Sequence, residues 1–274
     1  WSFISHDPDT GPAMTRYFRS WLARKYDNDE RLRAAWADPK ASLETATVPG
    51  MAERNGTRDG IFRDPTLERR VMDYYEAQHE VVADDIVHFG RLVKDTWPRP
   101  VVTGVFYGYF FMLFSRQTTG GHLALRKVME SPYIDYLAAP QSYWGAAHGP
   151  GGSGQSRALQ ETARLHGKLV VDEMDQGTSV RAPFGDPVPA ELAKDIGILR
   201  RNTLQPFSRG MGLWYYDFGP NEQSGWWGHP TFGHEIKRLK ALFDARRDRD
   251  FVPESDVLLV WDDGGGGVQI AELR

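Results

Sequence analysis

No cysteine occurs among the 274 residues, which removes disulfides, thiolate metal sites and a cysteine nucleophile while leaving the compartment open. Long apolar runs are missing as well. The most hydrophobic stretch, around Val101 to Phe114, is interrupted by Gly104 and Gly108 and falls short of the roughly 20 residues a membrane helix needs. A soluble protein without a membrane partner is expected. There is no basic block: 33 Lys and Arg face 37 Asp and Glu, for a net charge of −4, so nothing tracks a nucleic-acid backbone. The glycine-rich loop from Gly145 to Gly154 lacks the Gly-Lys-Ser/Thr ending of a phosphate-binding loop and reads as a flexible connection. No cofactor is expected. Aromatic residues, by contrast, are plentiful at 12%, nine of them Trp. Several sit beside glycine and polar residues where loops are expected, and such exposed rings suit the C–H faces of sugars.

The first hundred residues read as helical. Pro12 starts a helix with Met14, Phe18, Trp21 and Leu22 at helical spacing, and Asp29 to Trp36 forms a second. A long helix is expected from an Asp64 N-cap to about Thr96, with Leu67, Val71, Tyr74, Val82, Ile86, Phe89 and Val93 along one face. After Pro100 the pattern changes to strand followed by helix. Strands are expected at Val101–Tyr107, Ile134–Ala138, Lys168–Asp172 and Gly212–Asp217, and helices at Gly121–Glu130, Gly154–His166, Pro189–Ser208 and Thr231–Arg246. Four such units indicate a parallel sheet with crossover helices. Asp256 to Trp261 reads as one further strand.

One stretch stands apart. In Lys168-Leu169-Val170-Val171-Asp172-Glu173-Met174-Asp175 an apolar strand runs straight into three carboxylates. Burying an unpartnered carboxylate costs several kcal/mol, and the C-terminal edge of a parallel strand is where α/β enzymes keep their chemistry. Glu173 is therefore the leading catalytic candidate. The other strand ends lead into polar and aromatic residues that would ring one pocket in a (β/α) barrel: Tyr107 and Tyr109, then Gln141, Tyr143 and Trp144, then Asp175, then Trp214, Asp217, Trp226 and Trp227. These are the expected substrate-binding residues. Two other readings stay open. One is a non-catalytic carbohydrate-binding protein, and the other a metal-dependent hydrolase using Asp172, Glu173 and Asp175 with His148 or His229.

In the order of the chain, Ala13 to Leu22 with Lys25-Tyr26 and Leu32 to Trp36, then Tyr133 to Leu137 with Gln141-Ser142-Tyr143, then His166-Gly167-Lys168 into Asp172-Glu173, then Gly212 to Asp217, resemble glycoside hydrolase family 42, the β-galactosidases, and related clan A enzymes. The resemblance implies an α/β fold of the (β/α)8 TIM-barrel type with only its second half, strands five to eight, in this chain. Residues 1–250 would then be a partial catalytic barrel, with 1–100 following strand four and 101–250 supplying four βα units. Residues 251–274 would begin a Rossmann-like domain. The implied activity is that of a retaining glycoside hydrolase acting on a carbohydrate substrate. Glu173 falls at the position of the nucleophile, and the acid/base Glu is expected upstream of Trp1. The two open edges of a half barrel also invite self-association into a homo-oligomer.

Overall fold

The computed structural model describes residues 10–56, 62–109, 120–141, 148–180, 189–217, 225–249, 251 and 254–260. It divides into two compact units. The first contains residues 1–103, 108–134 and 259–274, and the second residues 104–107 and 135–258.

The first unit is helical. α1 (Pro12–Tyr26) opens on proline, whose missing N–H is no loss in a first turn, and closes with Arg24 and Lys25 against the negative end of its dipole. Two residues later α2 (Asp29–Trp36) begins, capped by the Asn28 side chain, which accepts from the Arg31 N–H at 3.0 Å. After the short α3 (Met51–Asn55), α4 (Arg69–Thr96) runs for 28 residues, followed by α5 (Leu125–Met129). Phe18, Trp36 and Tyr74 join the first three long helices into one core, with ring centroids at 6.3 Å for Phe18–Trp36 and 5.7 Å for Phe18–Tyr74. Asp73 lies fully buried at its centre. It accepts from the Tyr26 hydroxyl and the Trp36 indole, both at 2.7 Å, and pairs with Arg69 at 2.9 Å and Lys25 at 3.2 Å. Those four donors supply what a buried carboxylate requires.

α4 starts four residues later than the Asp64 cap predicts, with Glu68 at the N-cap. The Asp64 carboxylate instead closes a turn onto Thr66, accepting from its N–H at 2.8 Å and its hydroxyl at 2.6 Å. The buried face of α4 is also shifted. Val71 and Tyr74 are buried as expected, whereas Leu67, Phe89 and Val93 are exposed, and Ala77 and Ala83 are buried in their place.

The second unit holds four strands among the described residues, β1 (Gly104–Phe106), β2 (Tyr136–Pro140), β3 (Leu169–Met174) and β4 (Gly212–Tyr215). All pair in parallel, in the order β1-β2-β3-β4. The expected mixed α/β fold with a parallel sheet is present. Three helices follow the strands in sequence, α6 (Gln160–Leu165), α7 (Pro189–Ser208) and α8 (Pro230–Asp244). Met174 from β3 packs with Ile196 and Leu199 of α7 and with Phe232 and Leu239 of α8, so one face of the sheet is covered by helices. The joints into β3 and β4 are built alike. Gly167 and Gly210 both take a left-handed φ of 69°, two residues before their strands, and so turn the chain out of a helix at little steric cost.

α6 is shorter than the helix expected from Gly154 to His166. Residues 154–158 run back along the end of β2, where the Arg157 N–H donates to the Pro140 carbonyl at 3.2 Å and Ser156 bridges Gln141. The strand expected from Asp256 does not form over residues 254–260. Among the described residues Val257 to Val260 have no neighbouring strand, and each is about 80% exposed, from 78% to 83%.

Candidate active site

Alternation along β3 decides what its acidic end can do. Val170, Asp172 and Met174 are buried beneath the helices, while Leu169, Val171 and Glu173 lie on the opposite, more open face. Neighbouring carboxylates thus enter different surroundings. Glu173 stands beside Pro140 of β2 and Trp214 of β4 in register. The Trp214 indole N–H donates to Glu173 Oε1 at 3.0 Å, and the Trp214 ring meets Phe106 of β1 edge-on at 5.6 Å. Phe106 and Tyr216 are each 44% exposed. The result is a half-buried carboxylate at the C-terminal end of an inner strand, oriented by one N–H and flanked by open aromatic faces.

Asp172 is fully buried on the helix side. Its Oδ1 accepts from the Ser156 hydroxyl at 2.7 Å, and its Oδ2 accepts from Gln160 at 2.9 Å and Gln141 at 3.3 Å. Burial raises its pKa above the ordinary value, and the three hydrogen bonds and the Arg209 charge oppose that shift. The same Gln141 amide donates to the Asn202 carbonyl at 2.8 Å, and the Asn202 side chain donates to Gln176 at 2.7 Å. Arg201 extends the network to the connection after β2. It donates to Asn202 Oδ1 and to the carbonyls of His148, Gly149 and Gly152 at 2.6 to 3.1 Å. The described part of the glycine-rich loop therefore presents oxygen atoms to a cation, the reverse of a phosphate cradle.

The structure brings together only some of the residues expected at the pocket. Glu173 and Trp214 are in direct contact. Asp217 is exposed and accepts from the Trp227 backbone N–H at 3.3 Å, and Asp175 and Trp226 are half-buried beyond their strands. Gln141 is turned to the helix side by its bonds to Asp172 and Asn202. Trp227 packs against Tyr215 and Phe232, each at 5.6 Å, and its indole donates to the Tyr216 carbonyl, which ties it into the helix layer. Tyr107 and Tyr109 are 1% and 2% exposed, too enclosed to face a ligand here. Tyr109 stacks on His122 at 4.6 Å, and burial, reinforced by the nearby His79, pushes His122 down to about 3. Tyr143 and Trp144 lie outside the described residues.

Strand alternation points Asp172 and Glu173 to opposite faces, so these two side chains do not close on one ion. Among the described residues no group of three His, Asp or Glu side chains could hold a metal. Phe106 is a site neighbour outside the expected set; its place next to Tyr107 at the end of the expected Val101–Tyr107 strand, on the alternate face, was the available signal. The chain also carries one Asn-Glu pair, Asn221-Glu222, after the fourth strand. It lies outside the described residues.

No family model matches the sequence, and no curated protein matches it. Solved structures share the fold. A β-galactosidase from the psychrophilic Marinomonas ef1 aligns over 87% of this chain and 37% of its own, with a TM-score of 0.52 and 16% identity. An exo-β-agarase aligns over 88% of this chain and 31% of its own, with a TM-score of 0.54 and 13% identity. The chain thus spans about a third of the length of each. No helix among the described residues is long and apolar enough to cross a membrane.

Proposed function

We propose that this chain carries the nucleophile side of a retaining glycoside hydrolase, β-galactosidase-like in type, on strands five to eight of a (β/α)8 barrel. One observation carries the reading: Glu173, at the C-terminal end of an inner parallel strand, faces the open side of the sheet while its neighbour Asp172 is spent in the buried layer. Two fold neighbours whose names denote enzymes acting on β-linked galactosides and agar support a carbohydrate substrate. On this reading Glu173 attacks the anomeric carbon and forms a glycosyl ester that water later cleaves. The Trp214 N–H holds the attacking carboxylate in place, and Phe106 and Tyr216 offer faces for the sugar ring. The domain division at about residue 250 belongs to the same proposal.

A retaining mechanism also needs a proton donor with its carboxyl about 5 to 5.5 Å from the nucleophile. The clan resemblance puts it on the strand that precedes α1, and Glu222 is the rival within the chain. Treatment with a 2-fluoro activated galactoside, followed by peptide mapping, tests the assignment. The expected result is a single glycosyl adduct on Glu173 that Glu173→Gln abolishes. An adduct on another residue sinks the nucleophile assignment, and saturable sugar binding without any adduct favours a carbohydrate-binding protein.

A further inference from the structure

The segments leading into β3 and β4 enclose a cavity of about 270 Å³. It lies at the end of the sheet remote from Glu173. At about 3.3 Å per strand residue, its Leu169 wall stands roughly 13 Å from Glu173 along β3. Five cationic side chains line it, Arg164, Lys168, Arg209, Arg247 and Arg249, with no carboxylate in the described lining. For a chain of net charge −4 this is a local reversal of sign. Its floor is aromatic. Phe207 meets Phe243 at 5.0 Å and Phe251 at 5.7 Å between centroids. Phe251 packs so closely over Gly210 that a Cβ there would come within 3.0 Å of it.

Helix ends account for part of the charge. Arg164 donates to the Arg209 carbonyl at 3.1 Å, and Arg209 reaches the Gln205 carbonyl at 3.5 Å and Glu161 at 3.1 Å. Both serve chain ends where a cation is favoured. The rim is different. Among the described residues Arg247 has only Asp248, at 3.8 Å with both groups largely exposed, a pair worth little. The Arg249 side chain has no hydrogen-bond or ion-pair partner among the described residues. Guanidinium groups above an aromatic floor match an oxyanion carried on a ring, because the fork binds the anion and the rings cover the body that bears it.

We propose that this cavity is a second ligand site, distinct from Glu173, for a sulfate or phosphate ester borne on a single ring. The oxyanion lies against Arg247 and Arg249, and the ring rests on the phenylalanine floor. The volume is close to the lower end for small-molecule pockets and suits one ring rather than a chain. The site stands apart from the glycosidase reading and does not depend on it.

Calorimetric titration of the full chain with phenyl phosphate, phenyl sulfate, inorganic phosphate and benzyl alcohol tests the site. Saturable one-to-one binding is expected for at least one phenyl ester, stronger than for inorganic phosphate and absent for the alcohol. Preference between the two esters identifies the anion. Binding should weaken by at least about tenfold in the exposed double variant R247Q/R249Q. It should fall as salt rises from about 50 to about 500 mM and be unchanged in E173Q. Absence of saturable binding by either ester at ~20 mM, or equal binding by wild type and a folded R247Q/R249Q, overturns the proposal. Equal affinity for inorganic phosphate and the phenyl esters overturns the role of the aromatic floor.

Discussion

Replacing Asp172 separates the shape of its buried network from its charge. In Asp172→Ala the Ser156 hydroxyl, one N–H of Gln160 and one of Gln141 lose their acceptor inside a buried layer. Each orphaned donor costs about 1 to 3 kcal/mol, and partial relaxation brings the sum to about 4 kcal/mol, a large share of the 5 to 15 typical of a folded domain. Asp172→Asn keeps the outline. Its oxygen faces Gln160 and Gln141 while its amide faces Ser156, whose hydroxyl turns to accept. A loss within about 1 kcal/mol is expected for Asn at neutral pH, because the desolvated charge disappears with the hydrogen-bond mismatch.

The two forms also differ in pH dependence. Burial raises the folded-state value of Asp172 above its ordinary 3.8. Between those two values the folded chain holds a proton that the unfolded chain has released, so unfolding free energy falls as pH rises through that window. Asp172→Asn lacks this term. Urea denaturation monitored by circular dichroism from pH 4 to 8 should therefore show wild type losing ground to Asp172→Asn with rising pH. Asn as damaging as Ala, or a gap between wild type and Asn that ignores pH, would refute the account.

Two further outcomes follow from single contacts. Trp214→Phe removes the N–H that reaches Glu173 at 3.0 Å while keeping an aromatic face beside Phe106. Kinetics on an activated galactoside should show a fall in kcat of roughly tenfold with KM less affected; an unchanged kcat would separate the indole from the chemistry. Met174→Ala opens a cavity in the layer between β3, α7 and α8, where the side chain is fully buried. A loss of about 2 to 5 kcal/mol is expected in urea unfolding, and a loss under 1 kcal/mol would mean that the layer collapses around the gap.

What was legible in the sequence was local. The run from Leu169 into Asp172 and Glu173 announces a strand with acids at its end, and Pro189 to Ser208 contains a full helical period with proline at its start. A period of two even implies that Asp172 and Glu173 part company. The partners were not legible, because they arrive through the fold. Ser156 lies 16 residues from Asp172 and Trp214 lies 41 from Glu173. Gln141 follows a strand, which in sequence marks a pocket residue, but its bonds to Asp172 and the Asn202 carbonyl turn it to the helix side. The same reason explains Val257 to Val260. β-Branched side chains favour a strand, but a strand also needs a neighbour, and residues 254–260 have none among the described residues.

The opposed placement of Asp172 and Glu173 makes the pairing of β3 unusually intolerant of error. A slip of one residue against β2 or β4 would exchange the faces of the whole strand. Glu173 would be driven among Met174's present neighbours without Ser156, Gln160 or Gln141 positioned to receive it, and Asp172 would lose all three donors. An apolar strand of the same length could slide by two positions and keep much of its packing. Here two adjacent acids, one needing the interior and the other the open side, act as an alignment key whose misfit penalises the wrong sheet before any ligand is present.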